Sequence, residues 1–149
     1  MKVQLRVARV EDAEPISALI LAALQVSNAQ DYPSEVIALV QQNFTAAHNL
    51  ALLSHRQVYV ATHKGLVVGT ASLDRQVVRS VFVDPGLQGS GIGSKLMSML
   101  EAEAAHNGVT ALKVPSSITA EGFYRSLGYS VERDEYFGAE RTIIMVKQL

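Results

Sequence analysis

The chain has 149 residues, 48% of them hydrophobic and 18% charged, a balance that suits one packed domain over residues 1–149 rather than a disordered chain. Thirteen basic and 14 acidic residues leave a formal charge of -1, so no nucleic-acid partner is expected. The absence of cysteine excludes disulfides, thiolate metal centres and a cysteine nucleophile, and fits a cytoplasmic setting.

The start of the chain lacks the continuous apolar stretch of a signal peptide. The longest nearly apolar run, Ile16 to Leu24, falls well short of the ~20 residues a membrane helix needs, so no membrane partner is expected. Val3, Leu5 and Val7 alternate with polar residues as in a half-buried strand. Glu11, Asp12 and Glu14 suit the positive end of a helix dipole, and Ile16, Ile20, Leu21 and Leu24 then recur at helical spacing. After the break at Asp31–Ser34 a second helix is expected through about Asn43, with Val36, Ile37, Val40 and Phe44 as its apolar side.

From residue 57 the period becomes that of strands. Residues 58–62 and 66–73 read as a hairpin about a turn at His63-Lys64-Gly65. A third run, Val77 to Val83, stops at Asp84-Pro85-Gly86, because proline lacks the N–H a ladder needs. Ile92, Leu96, Met99, Leu100 and Ala104 define one side of a helix that ends at Asn107-Gly108. A strand over 109–114, a helix over 119–127 and strands at 129–131 and 142–146 complete the order β-α-α-β-β-β-α-β-α-β-β, a mixed α/β domain. If the apolar Thr142–Val146 strand lay at a sheet edge, it would pair across a homodimer.

The stretch Gln88-Gly89-Ser90-Gly91-Ile92-Gly93-Ser94, between a strand and a helix, carries the chemistry. Glycine admits positive φ and close approach of a ligand, and N–H groups exposed at a helix start suit a phosphate. A P-loop would need a glycine immediately before a lysine and a hydroxyl residue, and here the order is Ser94-Lys95. A dinucleotide fingerprint would need glycine at 94 and an acid some 20 residues on, and neither is present. Four histidines, His48, His55, His63 and His106, have no short metal-binding spacing, so no metal is expected. Ser90 is not at a nucleophile elbow, since Gln88 stands where that motif needs glycine.

The run Gln88-Gly89-Ser90-Gly91-Ile92-Gly93 resembles the Gln/Arg-x-x-Gly-x-Gly/Ala acetyl-CoA motif of the GNAT N-acetyltransferases. Ala120-Glu121-Gly122-Phe123-Tyr124-Arg125-Ser126-Leu127-Gly128-Tyr129 resembles the family's Ala-x-x-Phe-Tyr-x-x-x-Gly-Phe/Tyr helix. The resemblance implies a splayed, mostly antiparallel sheet flanked by helices, with acetyl-CoA as acyl donor where two strands part. It also implies that main-chain N–H groups from Gln88 to Ser94 hold the pyrophosphate and that Val81 and Val83 pair with the pantetheine arm. Main-chain N–H groups near Val81 or Phe82 would face the developing oxyanion, and Tyr124 would protonate the departing thiolate. Ser116 and Ser117 stand where relatives commonly carry a CoA-contacting asparagine, and Ser117 takes that place here.

The expected acceptor is a primary amine of a small molecule or peptide, shaped by the first two helices and an Arg133–Gly138 loop. A lysine-like amine is mostly protonated at pH 7, a penalty of about 4.6 kcal/mol that a base must offset. Asp74, Glu132, Asp134 and Glu135 are read as solvated surface acids, and Asp84 as turned away, so the sequence names no base. The rival reading is a non-catalytic module that senses acyl-CoA and tolerates loss of Tyr124.

Overall fold

The computed structural model describes residues 2–149. Its elements are β1 (Gln4–Val7), α1 (Ala13–Val26), α2 (Ser34–Gln41), α3 (Ala46–Leu52), β2 (Gln57–His63), β3 (Leu66–Asp74), β4 (Val77–Val83), α4 (Ile92–His106), β5 (Ala111–Ser116), α5 (Glu121–Ser126), β6 (Ser130–Phe137) and β7 (Glu140–Gln148). The seven strands form one sheet in the order β1-β2-β3-β4-β5-β7-β6. Every neighbouring pair is antiparallel except β4 and β5.

Local chemistry accounts for the hairpins. His63 pairs with Leu66 around Lys64 and Gly65, both at positive φ, the two-residue turn whose twist matches that of the strands. The β4–α4 connection is a parallel crossover into β5, so the sequence between must carry a helix long enough to return along the sheet. That helix is α4, which buries Ile92, Leu96, Met97, Leu100 and Ala104 almost completely. Burying such a side chain contributes about 1.5–3 kcal/mol as an upper estimate, which makes α4 the principal anchor of this side of the sheet. Its partners include Val78 and Leu112 from the two strands it connects, and Tyr124 and Tyr129. Tyr129 donates to Glu101 at 2.9 Å, and Lys147 reaches both carboxylate oxygens of Glu101 at 3.1 Å, tying α4 to β7.

On the other face α1 and α2 cover β2, with Ile16, Ile20, Leu24 and Ile37 against Val58 and Val60. Three sequence expectations are corrected here. The second helix does not run on through Asn43: α2 stops at Gln41, a short 3-10 turn follows, and Thr45 caps a separate α3 by accepting from the His48 N–H at 3.2 Å. The Arg133–Gly138 segment is not a loop. Residues 133–137 are most of β6, whose side chains are nearly all exposed and therefore show no apolar alternation, and Gly138 opens the turn to β7. Finally, β7 lies between β5 and β6, so the Thr142–Val146 stretch has no free edge with which to pair another copy. Among the described residues no helix is long and apolar enough to cross a membrane.

The start of α1 is locked to β1 by an ion pair. Arg6 donates to both Asp12 oxygens at 2.7 and 3.0 Å, and the Arg9 N–H donates to the same carboxylate at 2.7 Å. The Arg6 hydrogen bonds are the first cause that holds the Asp12 carboxyl below the usual carboxylate range. A depressed acid stabilises the fold fully above its unfolded pKa, about 4, and loses that contribution as pH falls through the lower folded value. Asp12→Ala strands the Arg6 donors and is expected to cost about 2 kcal/mol, or roughly 4–8 °C in Tm at pH 7. Thermal melts at pH 7 and at pH 3 check this: the gap between wild type and variant should narrow at the lower pH.

Candidate active site

The parallel contact between β4 and β5 is confined to one register pair, Val77 with Lys113, where the Lys113 N–H donates to Gln76 O at 2.9 Å. Beyond it β4 continues to Val83 beside β3 alone, and β5 continues to Ser116 beside β7 alone. The strands part, and a cleft of about 580 Å³ opens between them. It is lined by Val81, Phe82 and Val83 of β4, by the glycine turn, by Val114 and Pro115 of β5, and by Ser117, Phe123 and Tyr124.

A bulge sharpens the divergence. The β3–β4 register slips between Thr70 and Ser72, and Ser80 occupies the left-handed region at φ 54°. A serine in that conformation is costly unless its surroundings impose it. Arg56 donates to Ser80 Oγ at 3.2 Å, one such surrounding contact. The Asp84 N–H donates to Val68 O at 2.9 Å, toward β3. By strand alternation the Val83 N–H points the opposite way, into the cleft, and Val81 shares its phase. These are main-chain groups that an extended ligand could bond as an added strand.

The glycine turn supplies donors. Gly91 caps α4 at φ 87°, and Gly89 lies at φ 85°; a Cβ at either would meet only open space. Their conformation, not crowding, demands glycine. Gly93 differs: a Cβ there would lie 3.0 Å from the Phe123 ring, so glycine allows α4 and α5 to approach. The N–H groups of Gln88, Gly89, Gly91, Ile92, Gly93 and Ser94 donate to no carbonyl among the described residues. Ser90 is the exception, with both its N–H and its hydroxyl donating to Leu87 O. Six free donors at the positive end of a 15-residue helix fit a pyrophosphate. Gln88 turns its side chain to the α1 end, donating to Ser27 Oγ at 3.0 Å.

All of the sequence-derived site residues except Ser90 line the one cleft: Val81, Phe82, Val83, Gln88, Gly89, Gly91, Ile92, Gly93, Ser94, Ser117 and Tyr124. Ser117 Oγ is engaged by the Ala120 N–H at 3.1 Å, so it orders the loop before α5 as well as facing the cleft. Tyr124 is 4% exposed, packed edge-on to Phe123 and Tyr129. Its hydroxyl has no hydrogen-bond partner among the described residues, yet no polar side-chain atom is enclosed without one, so the hydroxyl opens on the cleft. Burial raises its pKa above that of an ordinary tyrosine, so it stays protonated and able to donate throughout the neutral range.

The four acids considered from sequence are all in ion pairs: Asp74 with Arg79 at 3.9 Å, Glu132 with Arg133 at 2.7 Å, Glu135 with Arg133 at 2.9 Å, and Asp134 with Arg141 at 3.2 Å. Asp84 accepts from the Gly86 N–H at 2.8 Å and lies outside the cleft lining. Sequence reasoning passed over Glu140, which does line the cleft. No local signal marked it, because only the place of β7 between β5 and β6 sets it beside the cleft. It also missed Tyr32, whose hydroxyl donates to Arg141 O at 2.8 Å and accepts from the Ile118 N–H at 2.7 Å, clasping the α1–α2 connection to β7 and to the β5–α5 loop. Among the described residues no group of acids and histidines is placed to hold a metal ion.

Comparison with known proteins agrees with this architecture. Residues 25–147 match the acetyltransferase (GNAT) domain family. A GCN5-related N-acetyltransferase of Rhodopseudomonas palustris superposes over 100% of this chain and 97% of its own, with a TM-score of 0.94 and 28% identity. The yncA protein of Salmonella typhimurium, solved with its cofactor acetyl-CoA, superposes over 98% of this chain and 93% of its own, with a TM-score of 0.65 and 25% identity. Serotonin N-acetyltransferase 2, chloroplastic, of Oryza sativa subsp. japonica is 36% identical over 62 residues, 42% of this chain but 31% of that protein, so the match spans under a third of the curated relative. With its glycine turn at the start of α4 and its parted strands, the chain belongs to the GNAT acetyltransferase family, whose acyl donor is acetyl-CoA.

The cradle is directly testable. Gly91→Glu puts a carboxylate among the free N–H groups, whereas Gly91→Ala imposes the same backbone strain without charge. Since hydrogen bonds to a charged group contribute about 1.5–3 kcal/mol each, the glutamate is expected to weaken acetyl-CoA binding by at least about 100-fold, and the alanine far less. Calorimetric titration of both variants gives the answer.

Proposed function

We propose that this chain transfers the acetyl group of acetyl-CoA directly to a primary amine of a small molecule or peptide, with donor and acceptor bound together. The observation that carries the reading is an unpartnered tyrosine hydroxyl, Tyr124, opening on the same cleft as six free N–H groups. When bound, acetyl-CoA supplies a thioester carbonyl as the electrophile and a thiolate as the leaving group. The free N–H groups of Gln88, Gly89 and Gly91–Ser94 hold its pyrophosphate, and Val81 and Val83 align its pantetheine arm beside β4. Phe82 packs edge-on to Phe44, with ring centroids 5.6 Å apart, and fixes the strand segment whose N–H groups meet the developing oxyanion.

Tyr124 donates its proton to the departing sulfur. A module that only sensed acyl-CoA would keep the cradle but would have no use for an unpartnered hydroxyl in an otherwise packed aromatic cluster. The family relation and the relative named for N-acetylation of serotonin, an amine, support nitrogen as the acceptor atom.

Tyr124→Phe removes the donor and preserves the edge-on ring contacts. It is expected to lower kcat by about 100-fold while leaving acetyl-CoA affinity unchanged. Thiol release measured across a panel of primary amines checks this. If no amine prompts release from the wild type, the transferase reading fails.

A further inference from the structure

Of the described side chains that line the cleft, a single one is ionisable to a charge at neutral pH: Glu140, the first residue of β7. It shares a strand face with Thr142, which also lines the cleft, while the alternate residues Ile143 and Met145 belong to the core around α4. Tyr124 belongs to that same core, so the carboxylate and the phenol enter the gap from opposite faces of the sheet. Around the Glu140 side the cleft is walled by Leu24 and Val40 from the α1–α2 layer and by the Phe44–Phe82 pair.

No cation lies within ion-pair distance of Glu140 among the described residues. Tyr32, whose phenol feels the charge of Glu140, Arg141 and Asp31, is otherwise committed, as are those two charged residues. Arg141 is held by Asp134 at 3.2 and 3.3 Å, Tyr32 is engaged by Arg141 O and the Ile118 N–H, and Asp31 accepts from Thr119 at 2.8 Å. Burial raises the Glu140 carboxyl above its ordinary value. A half-buried carboxylate without a cation is a cost to folding, and a cationic ligand offsets it. The turn does not need it either, since Gly138 takes the positive φ.

We propose that Glu140 receives the ammonium of the acceptor and takes its proton, and that the acceptor is an apolar primary amine with no carboxylate beside the amine. The proposal rests on the transferase reading above. The Glu140 carboxylate takes one proton from the ammonium, and the freed nitrogen lone pair forms the C–N bond as the C–S bond breaks. Tyr124 passes its proton to the sulfur and recovers one, through water, as the new amide nitrogen sheds its second proton. Glu140 returns its proton to solvent, so the net products are amide, thiol and one proton. A carboxylate on the acceptor would find no lysine, arginine or histidine along the lining and would face Glu140.

The test compares wild type, Glu140→Gln and Glu140→Asp by calorimetric titration with acetyl-CoA and by thiol release with 2-phenylethylamine and with phenylalanine. Glu140→Gln should bind acetyl-CoA as wild type does, yet lose about 100-fold in kcat/KM for 2-phenylethylamine. The wild-type kcat should fall as pH drops through a value above 4.5, because protonated Glu140 cannot accept. That limb should vanish in Glu140→Gln and return in Glu140→Asp, which a merely structural role would not produce. Phenylalanine should be at least about tenfold poorer than 2-phenylethylamine in wild type. A Gln variant within about threefold of wild type and with the same acid limb overturns the role of Glu140 alone, as equal use of the two acceptors overturns the acceptor class. Absence of thiol release from wild type with every primary amine overturns the transferase reading together with this one.

Discussion

The hydrogen bond from the Lys113 N–H to Gln76 O, at the single register pair of the two parallel strands, is the constraint on which the rest of the molecule turns. It marks the last point at which the sheet is continuous. Antiparallel pairing to β3 draws β4 one way, and antiparallel pairing to β7 draws β5 the other. The edges that face each other beyond Val77 and Lys113 are left with unpaired main-chain groups, which a protein interior tolerates only if a ligand or water completes them. The bulge at Ser80 adds to the divergence, and α4, buried along its apolar side, keeps the gap from closing.

From that opening follows a division of labour between the two faces of the sheet. The α4 side provides the free N–H groups, the close approach at Gly93 and the Tyr124 hydroxyl; the α1–α2 side provides apolar walls and Glu140. The Tyr124 hydroxyl and the Glu140 carboxyl are thereby kept on opposite sides of the gap, each shifted upward by burial. For Tyr124 the shift preserves a donor; for the proposed role of Glu140 it makes the carboxylate a stronger proton acceptor than an ordinary one. Tyr32 matters to this arrangement because its hydroxyl joins three segments that the chain order separates widely.

Much of the α4 side of the cleft was legible in the sequence because its information is local. The glycine run, the proline stop before it and the helical spacing after it lie within a few residues of one another, and Ile92, Leu96 and Leu100 are buried as their spacing predicts. The tyrosine of α5 was legible by resemblance, and the structure adds that its hydroxyl is unpartnered. The opposite side, with Glu140, was not legible, since its placement is decided by distant pairing. β6 is a strand because β7 pairs with it, although almost none of its residues is buried. Glu140 stands beside the cleft because β7 slots between β5 and β6, a topology with no signature in residues 130–148. The end of α2 was misplaced for a smaller reason: the apolar pattern runs through the 3-10 turn to Phe44, and only the Thr45 cap betrays a new helix.

If acetyl-CoA completes the unpaired groups of the parted strands and the glycine turn, those amides should be shielded when it binds. Hydrogen–deuterium exchange with and without acetyl-CoA, resolved over peptides from β4 through the start of α4, measures those groups directly. Slowed exchange is expected at Val81, Val83 and the free amides between Gln88 and Ser94, with α1 and β6 little changed. Unchanged exchange there under saturating acetyl-CoA, or protection confined to another part of the molecule, would contradict that binding mode.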